Sequence, residues 1–462
     1  MVNNNNNIFK HAYFLVFLVC VSTFFHFVSG APHAPVGADT YHFLVNSITH
    51  ERSGMLLYDL GNVLGEQGLV LVSFIIGLIA VVCLYTLCYL FSRDANSSFF
   101  STFLIMLMPW FFYKSGWYYV DKDMITLIFI CLFMFVYLSK TARNFFSRDV
   151  ITSFKIATVN TWLHRLTCIL LIILFRYVWE AWYTLALVWL VMELLDAIKH
   201  KDRAWYIMLC VMTFFYTVFN YQRLHDIVYY TLFSADKLFI AEMKSPILLG
   251  VKPEYLLLFS VVFYFFYSVN RIKKAGWDYK RAWVWFWVIL SLYMFSYRFI
   301  IYIIPVTAIM FAGAWYRFRQ NEQYKMLRYL TALLLVCIAI MMASSVSVMP
   351  VKPVKTIDMD NVLCYNETAQ NCSKTFPCLI SVWDQGHYWD YVLRKQNSTA
   401  EVLYKAHGKH YKQQIRAYVL GVYNKSCRLV YNNDTVHDIK LFLKVDGIEI
   451  NQSDWWIENI MG

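Results

Sequence analysis

The sequence predicts a mainly α-helical domain that crosses a membrane many times, followed by a small mixed α/β domain outside the membrane. Three observations support this prediction. Hydrophobic residues make up 59% of the chain and charged residues only 15%, which departs strongly from soluble proteins. Apolar runs recur from residue 9 to residue 346, and residues 348–462 are polar and mixed. A chain of this kind places its apolar runs in lipid and its last part in water.

The apolar runs predict about eleven transmembrane spans. The first could equally be a signal peptide, because "VSGA" at 28–31 resembles a cleavage site. Residues 158–196 could form one span or two. We favour two, because one span would place Arg176 and Glu180 near the bilayer centre, where charges are costly. The runs lie at 9–29, 67–91, 98–116, 124–139, 158–176, 178–196, 204–220, 254–270, 282–294, 297–316 and 329–346.

The lysines and arginines predict the orientation of these spans. With the N-terminus inside, every inside loop holds Lys or Arg and the outside loops are poor in them by comparison, as the positive-inside rule requires. The formal charge of +11 therefore indicates topology and not a nucleic-acid partner. This orientation predicts a membrane domain at 1–347, with outer loops 30–66 and 221–253, and an extracytoplasmic domain at 348–462. Six Asn-x-Ser/Thr sequons support an outer location for that domain: Asn366, Asn371, Asn397, Asn424, Asn433 and Asn451.

Cysteines divide between the two predicted domains. Seven lie in the membrane domain, where cysteine commonly acts as a small hydrophobic residue. Cys364, Cys372, Cys378 and Cys427 lie in the outer domain and could form up to two disulfides in an oxidising compartment. The sequence leaves their pairing open.

The predicted topology collects four carboxylates and one arginine on the outer face. These residues are Asp39, Asp121, Asp123, Glu242 and Arg298, and each lies next to a span or in an outer loop. Carboxylate oxygens suit Mg²⁺ or Mn²⁺, and a guanidinium matches phosphate. An Asp-x-Asp pair near a span end is also common as a helix cap, so the functional interpretation depends on the residues around each position.

Those residues form motifs that resemble the catalytic subunit of oligosaccharyltransferase, in its single-subunit archaeal and bacterial form. The motifs occur in that family's order over residues 37–390. The last is a degenerate form of a Trp-Trp-Asp-Tyr-Gly signature, with Val382 and Gln385 replacing the first tryptophan and the tyrosine. The five stretches are "DTYHF" at 39–43, "SGWYYVDKDM" at 115–124, "FIAE" at 239–242, "YRFIIYIIP" at 297–305 and "SVWDQGH" at 381–387.

The resemblance implies a fold of the GT-C type and a metal-dependent enzyme of the integral membrane. Its donor would be a glycan on a polyprenyl (dolichyl) phosphate or diphosphate, and its acceptor the asparagine of a sequon in a polypeptide. The catalytic side would be extracytoplasmic, either at a prokaryotic cell membrane or on the lumenal side of the endoplasmic reticulum. The implied site consists of Asp39, Asp121 and Asp123 around Mn²⁺ or Mg²⁺, Asp39 and Glu242 at the acceptor amide, Arg298 and His387 at the donor phosphates, and Val382, Trp383 and Asp384 at the acceptor.

Two other functions were weighed. Another GT-C transferase that uses a polyprenyl-phosphate sugar would share the architecture and an acidic first loop, but "FIAE" and "VWDQG" favour oligosaccharyl transfer. A transporter or structural membrane protein is the alternative of a different class. Transporters commonly carry internal repeats and polar groups at the bilayer midplane, whereas the acidic residues here gather at one face.

Overall fold

A computed structural model describes the helical framework and three short strands. The described residues are 2–28, 38–50, 53–114, 120, 122–138, 157–179, 182–200, 203–219, 279–295, 299–320, 326, 329, 333, 337, 378–380, 394, 401–402 and 427–429. Of the predicted site, Asp123 is described in full and Asp39 by its backbone. Asp121, Glu242, Arg298, Val382, Trp383, Asp384 and His387 lie outside the described residues.

The described part of the chain is mainly helical. Most predicted apolar runs lie on a helix of matching position. The run at 254–270 and all of the run at 329–346 except residues 329, 333 and 337 lie outside the described residues. The helices are α1 (Val2–Val28), α2 (Ala38–Thr49), α3 (Leu56–Ser92), α4 (Ala95–Met106), α5 (Pro109–Lys114), α6 (Asp123–Leu138), α7 (Ala157–Val178), α8 (Tyr183–His200), α9 (Arg203–Phe219), α10 (Tyr279–Phe295) and α11 (Ile300–Gln320).

Two of these helices, α3 and α11, are long and apolar enough to cross a membrane by length and composition alone. Several others are apolar but shorter. Helix α7 also exposes an apolar stripe, because Leu166, Leu170 and Ile173 follow one another at helical spacing and are all exposed. Such a stripe is unfavourable in water and favourable against lipid.

Helix α3 contains a break at Gly65, where the predicted outer loop 30–66 gives way to the predicted span 67–91. Gly65 has φ 67° and ψ −171° inside otherwise helical backbone. Only glycine adopts this region readily, because it has no Cβ. The structure thus joins the end of the loop and the span as one kinked helix.

The predicted run at 98–116 is not one continuous helix. It contains the end of α4, a turn at Leu107 and Met108, and the short helix α5. Pro109 begins α5, a position where its missing N–H costs nothing. Within a longer helix the same proline would remove a hydrogen bond and clash with the preceding turn.

Residues 158–196, predicted as one span or two, form two helices, α7 and α8. They are separated at Trp179, and the N–H of Trp182 donates to the Trp179 carbonyl oxygen over 3.3 Å. Arg165 of α7 lies 3.1 Å from Glu193 of α8. This contact between their distal parts shows that the two helices run antiparallel.

Helix α11 lies at the centre of the helical packing, where it contacts α4, α6 and α10. Residues 301–314 of α11 are all buried. The hydroxyl of Ser101 donates to the carbonyl oxygen of Ala308 over 2.7 Å, which ties α4 to α11. The rings of Phe100 and Trp315, 4.7 Å apart, extend this contact. Burial on all sides explains why residues 301–314 are apolar apart from Tyr302 and Thr307.

The C-terminal part contains a parallel sheet among its described residues. Its strands are β1 (Cys378–Ile380), β2 (Glu401–Val402) and β3 (Cys427–Leu429), in the order β2-β1-β3. The chain divides into two compact units. One contains residues 1–30, 73–117 and 122–349, and the other contains 31–72, 118–121 and 350–462.

Candidate functional site

Helix α2 holds the first predicted ligand, Asp39, as its second residue. The positions three and seven residues later, His42 and Asn46, share a helix face with Asp39. His42 Nε2 lies 2.7 Å from the Tyr58 hydroxyl oxygen, and Asn46 Nδ2 donates to Asn62 Oδ1 over 3.0 Å. These hydrogen bonds fasten α2 to the first part of α3.

The close approach of α2 to α3 depends on Gly61. A Cβ at Gly61 would lie 3.3 Å from the Ser47 Cβ and 3.3 Å from Leu69 Cδ2, which is tighter than ordinary van der Waals contact. The helix that carries Asp39 is therefore held by both packing and polar contacts, and its backbone position is well determined by its neighbours.

Thr40, the residue after Asp39, is hydrogen-bonded to Val120, the residue before Asp121. The Val120 N–H donates to Thr40 Oγ1 over 3.0 Å, and the Thr40 hydroxyl lies 3.4 Å from the Val120 carbonyl oxygen. Both residues are fully buried. The first and second motif segments thus meet one residue away from each of two predicted ligands. Thr40 lies inside the quoted "DTYHF" motif, but its sequence position alone gives no sign of this partner.

Asp123, the predicted ligand with a described side chain, begins helix α6. Its Oδ2 atom lies 3.0 Å from Nζ of Lys114, the last residue of α5. The side chain of Lys114 is only 4% exposed, and that of Asp123 is 18% exposed. A lysine so deeply buried is rare unless it is paired. Sequence reasoning missed Lys114, although a lysine at the end of an apolar run was a possible signal.

The helical unit contains two other described ion pairs, which link helices. Arg165 pairs with Glu193, and the Trp205 indole N–H donates to the same Glu193 Oε2 atom over 2.9 Å. Arg319 Nη2 lies 2.7 Å from Asp94 Oδ1, and Asp94 also caps α4 by accepting from the Ser97 N–H. These groups satisfy buried charges and a helix end.

Within the described residues, no group of three or more His, Cys, Asp or Glu side chains could hold a metal ion. The described side chains do not include those of Asp39 and Asp121, so the predicted metal site stays a prediction. The same holds for the roles predicted for Glu242, Arg298, His387, and residues 382–384. Near the predicted ligands, the structure describes the Thr40–Val120 contact in one compact unit and, separately, the Lys114–Asp123 ion pair in the other.

Comparison with known proteins finds similarity in structure alone. No family model matches the sequence, and no curated protein matches it. Among solved structures, the chain is similar to the archaeal oligosaccharyltransferase AglB from Archaeoglobus fulgidus in complex with an inhibitory peptide and a dolichol-phosphate. The two share 14% identity and superimpose with a TM-score of 0.63, over 91% of this chain and 69% of that one.

Two further structures of the Archaeoglobus fulgidus oligosaccharyltransferase are also similar, both at 14% identity. One is tethered to an acceptor peptide containing the NVT sequon, with a TM-score of 0.55 over 85% of this chain and 63% of that one. The other is a complex with zinc and sulfate, with a TM-score of 0.53 over 84% and 62%. The chain thus spans roughly two thirds of these proteins and has the fold of the archaeal oligosaccharyltransferases.

Proposed function

We propose that the chain is an integral membrane glycosyltransferase that moves a glycan from a polyprenyl phosphate or diphosphate to the asparagine of an Asn-x-Ser/Thr sequon. The fold supports this proposal, since the similar solved proteins are oligosaccharyltransferases. One was solved with a dolichol-phosphate and another with a sequon peptide. These are the donor class and the acceptor class that the five motifs imply.

The Thr40–Val120 hydrogen bond is the structural observation that supports the proposed active site. Consecutive Cα atoms lie about 3.8 Å apart, so the Cα atoms of Asp39 and Asp121 each lie one residue from this buried contact. The contact supports the prediction that the two carboxylates converge, although they belong to distant parts of the sequence. Convergence of these two motifs is the requirement for a shared metal site.

The proposed ligands fit a divalent cation by their chemistry. Asp39, Asp121 and Asp123 offer hard carboxylate oxygens, which suit Mn²⁺ or Mg²⁺. A similar oligosaccharyltransferase binds zinc in its solved complex, which supports a divalent ion without fixing its identity. When bound, such an ion would neutralise the negative charge that gathers on the leaving phosphate.

The remaining proposed residues bind and orient the two substrates. Arg298 and His387 would hold donor phosphate oxygens, and Arg298 would do so with the planar fork of its guanidinium. Asp39 and Glu242 would accept hydrogen bonds from the acceptor amide. Full loss of amide resonance costs about 18–20 kcal/mol by analogy with peptide rotation, whereas two charge-assisted hydrogen bonds contribute about 1.5–3 kcal/mol each. These carboxylates would therefore orient the nitrogen and rotate the amide only in part.

Direct displacement at the sugar follows from this arrangement. The acceptor nitrogen would attack the anomeric carbon as the bond to the phosphate oxygen breaks, which inverts the sugar's configuration. We place this reaction at the extracytoplasmic face, on the basis of the Lys and Arg distribution and the sequons of residues 348–462. The exposed apolar stripe of α7 supports the membrane location.

The decisive experiment incubates membranes containing the full chain with a lipid-linked glycan and a sequon peptide. We expect a glycopeptide that forms with Mn²⁺ or Mg²⁺ and disappears with a chelator. A matched peptide with Gln in place of the acceptor Asn controls for sequon dependence. Glycan transfer to another lipid or sugar, with no glycopeptide, would instead identify the alternative GT-C transferase. The absence of any transfer would contradict both assignments.

A further inference from the structure

Lys114 contacts Asp123, a predicted metal ligand, at the junction of two helices. Lys114 ends α5, and Asp123 begins α6. A cation at a helix C-terminus and an anion at a helix N-terminus are each favoured by the backbone dipoles. The separation of 3.0 Å between Nζ and Oδ2 makes this a direct ion pair.

The neighbouring side chains hold Lys114 in place. Trp110 and Phe111 of the same helix are buried, with 7% and 1% exposure. Their burial anchors α5, and the 4% exposure of the Lys114 side chain shows that its ammonium is withdrawn from water. A buried ammonium requires a counter-charge, and Asp123 supplies one.

The balance of charges at the proposed metal site gives a reason for a lysine at position 114. In the proposed metal site, three aspartates would carry three negative charges and a divalent cation would supply two positive ones. The remaining negative charge would match one ammonium. Without a cation, the ammonium of Lys114 balances the charge of Asp123, 3.0 Å away.

We propose that Lys114 is a positioning residue that acts as the resident counter-ion of Asp123 and shares that carboxylate with the metal. This inference rests on the proposed function. In the metal-free protein the ammonium keeps the Asp123 carboxylate in position to bind a metal ion, and it stabilises the junction of α5 with α6. When a divalent ion binds, the ammonium opposes it electrostatically and lowers its affinity. The site thereby stays folded with or without its ion.

The size of the effect follows from Coulomb's law. A metal ion lies about 2.0–2.6 Å from its carboxylate oxygens, which places it within roughly 6 Å of the Lys114 ammonium. Repulsion between a divalent and a monovalent cation at that distance amounts to about one factor of ten in affinity even in water, and more where water is excluded. Removing the lysine charge should therefore strengthen metal binding.

The test measures Mn²⁺ affinity on the purified full chain in detergent at low ionic strength, from the electron paramagnetic resonance signal of free Mn²⁺. We expect Lys114→Met to bind Mn²⁺ at least about tenfold more tightly than the wild type. Lys114→Arg keeps the charge and should stay within about threefold. Arg319→Met breaks the Arg319–Asp94 pair and serves as the control, with unchanged affinity.

Thermal unfolding gives a second measurement. Mn²⁺ should raise the unfolding temperature of Lys114→Met more than that of the wild type or of Arg319→Met. Lys114→Gln repeats both measurements with a neutral polar side chain if the methionine variant aggregates. Equal or weaker Mn²⁺ binding by the neutral variants would overturn the counter-ion role while leaving the proposed function intact. Absence of Mn²⁺ binding by the wild type would overturn both.

Discussion

The Val120 N–H donates a hydrogen bond to the hydroxyl oxygen of Thr40 over 3.0 Å, between two residues 80 positions apart in the sequence. Both residues are fully buried, so neither group can turn to water instead. This contact joins the two segments that carry Asp39 and Asp121. We therefore expect the geometry of the proposed metal site to depend on the Thr40 hydroxyl.

Replacement of Thr40 tests this dependence. Thr40→Val keeps the shape and removes the hydroxyl, which leaves a buried N–H without its partner and should cost about 1–3 kcal/mol of stability. We expect weaker Mn²⁺ binding as well, since the two motif segments are no longer tied. Thr40→Ser keeps the hydroxyl and serves as the control. Unfolding in denaturant and Mn²⁺ titration measure both effects, and identical behaviour of the two variants would contradict the role of the hydroxyl.

Gly65 should be intolerant of any side chain. Its φ of 67° and ψ of −171° lie in a region that costs other residues about 1–3 kcal/mol. No atom lies within 4 Å of a Cβ built on Gly65, so a loss of stability in Gly65→Ala would arise from backbone strain and not from a clash. Val63→Ala, at a side chain that is 82% exposed, controls for general sensitivity. Equal unfolding temperatures in the two variants would show that α3 does not need this kink.

Glu242 is predicted to orient the acceptor amide from the outer loop 221–253. Glu242→Gln removes the negative charge and keeps the size, so it should strongly lower turnover while folding and donor-lipid binding stay nearly unchanged. The comparison uses glycopeptide formation rates beside donor binding to the same preparation. Near-wild-type transfer by the variant would exclude Glu242 from the reaction.

Asp384 is predicted to accept a hydrogen bond from the hydroxyl of the sequon Ser or Thr, with Trp383 packed beside it. Loss of one such bond costs about 0.5–1.5 kcal/mol, which corresponds to a roughly two- to twelvefold change in preference. A peptide series with Thr, Ser and Ala at that position, run on the wild type and on Asp384→Ala, measures the change. If both proteins discriminate equally between Thr and Ala, another group reads the hydroxyl.

The sequence leaves the pairing of the outer-domain cysteines open, and the strand register leads us to expect a disulfide between Cys378 and Cys427. The Cα atoms of the two residues are register partners in the parallel pairing of β1 with β3. Neighbouring strands lie about 4.7–4.9 Å apart, within the range of about 4.4–6.8 Å that disulfides span. Removing the bridge should cost about 2–5 kcal/mol.

Peptide mapping without reduction detects this bridge, and protein from an oxidising compartment is the appropriate sample. Cys378→Ser and Cys427→Ser should lower the unfolding temperature by the same amount, because each removes the same bond. A map that joins either cysteine to Cys364 or Cys372 would contradict the pairing.

The positions of most helices could be predicted from the sequence, because an apolar run long enough for a helix is a local property of the chain. At 98–116 the apolar residues give no sign of the turn before Pro109 that divides the run between α4 and α5. The sequence also leaves open whether 158–196 forms one long span or two shorter ones, because the same residues suit both. The structure has two helices there, α7 and α8, and their Arg165–Glu193 contact exists only once the helices pack.

In the candidate site, too, some features could be predicted from the sequence and others depend on the fold. The motif order and the acidic residues were visible in the sequence, since both concern residue types and their spacing. The partners of Thr40 and Asp123 were not, because Val120 and Lys114 are reached only through the fold. Hydrophobic patterning is determined along the chain, residue by residue. Ion pairs and buried hydrogen bonds require two distant segments to meet at a few ångströms, and tertiary packing alone decides which segments meet.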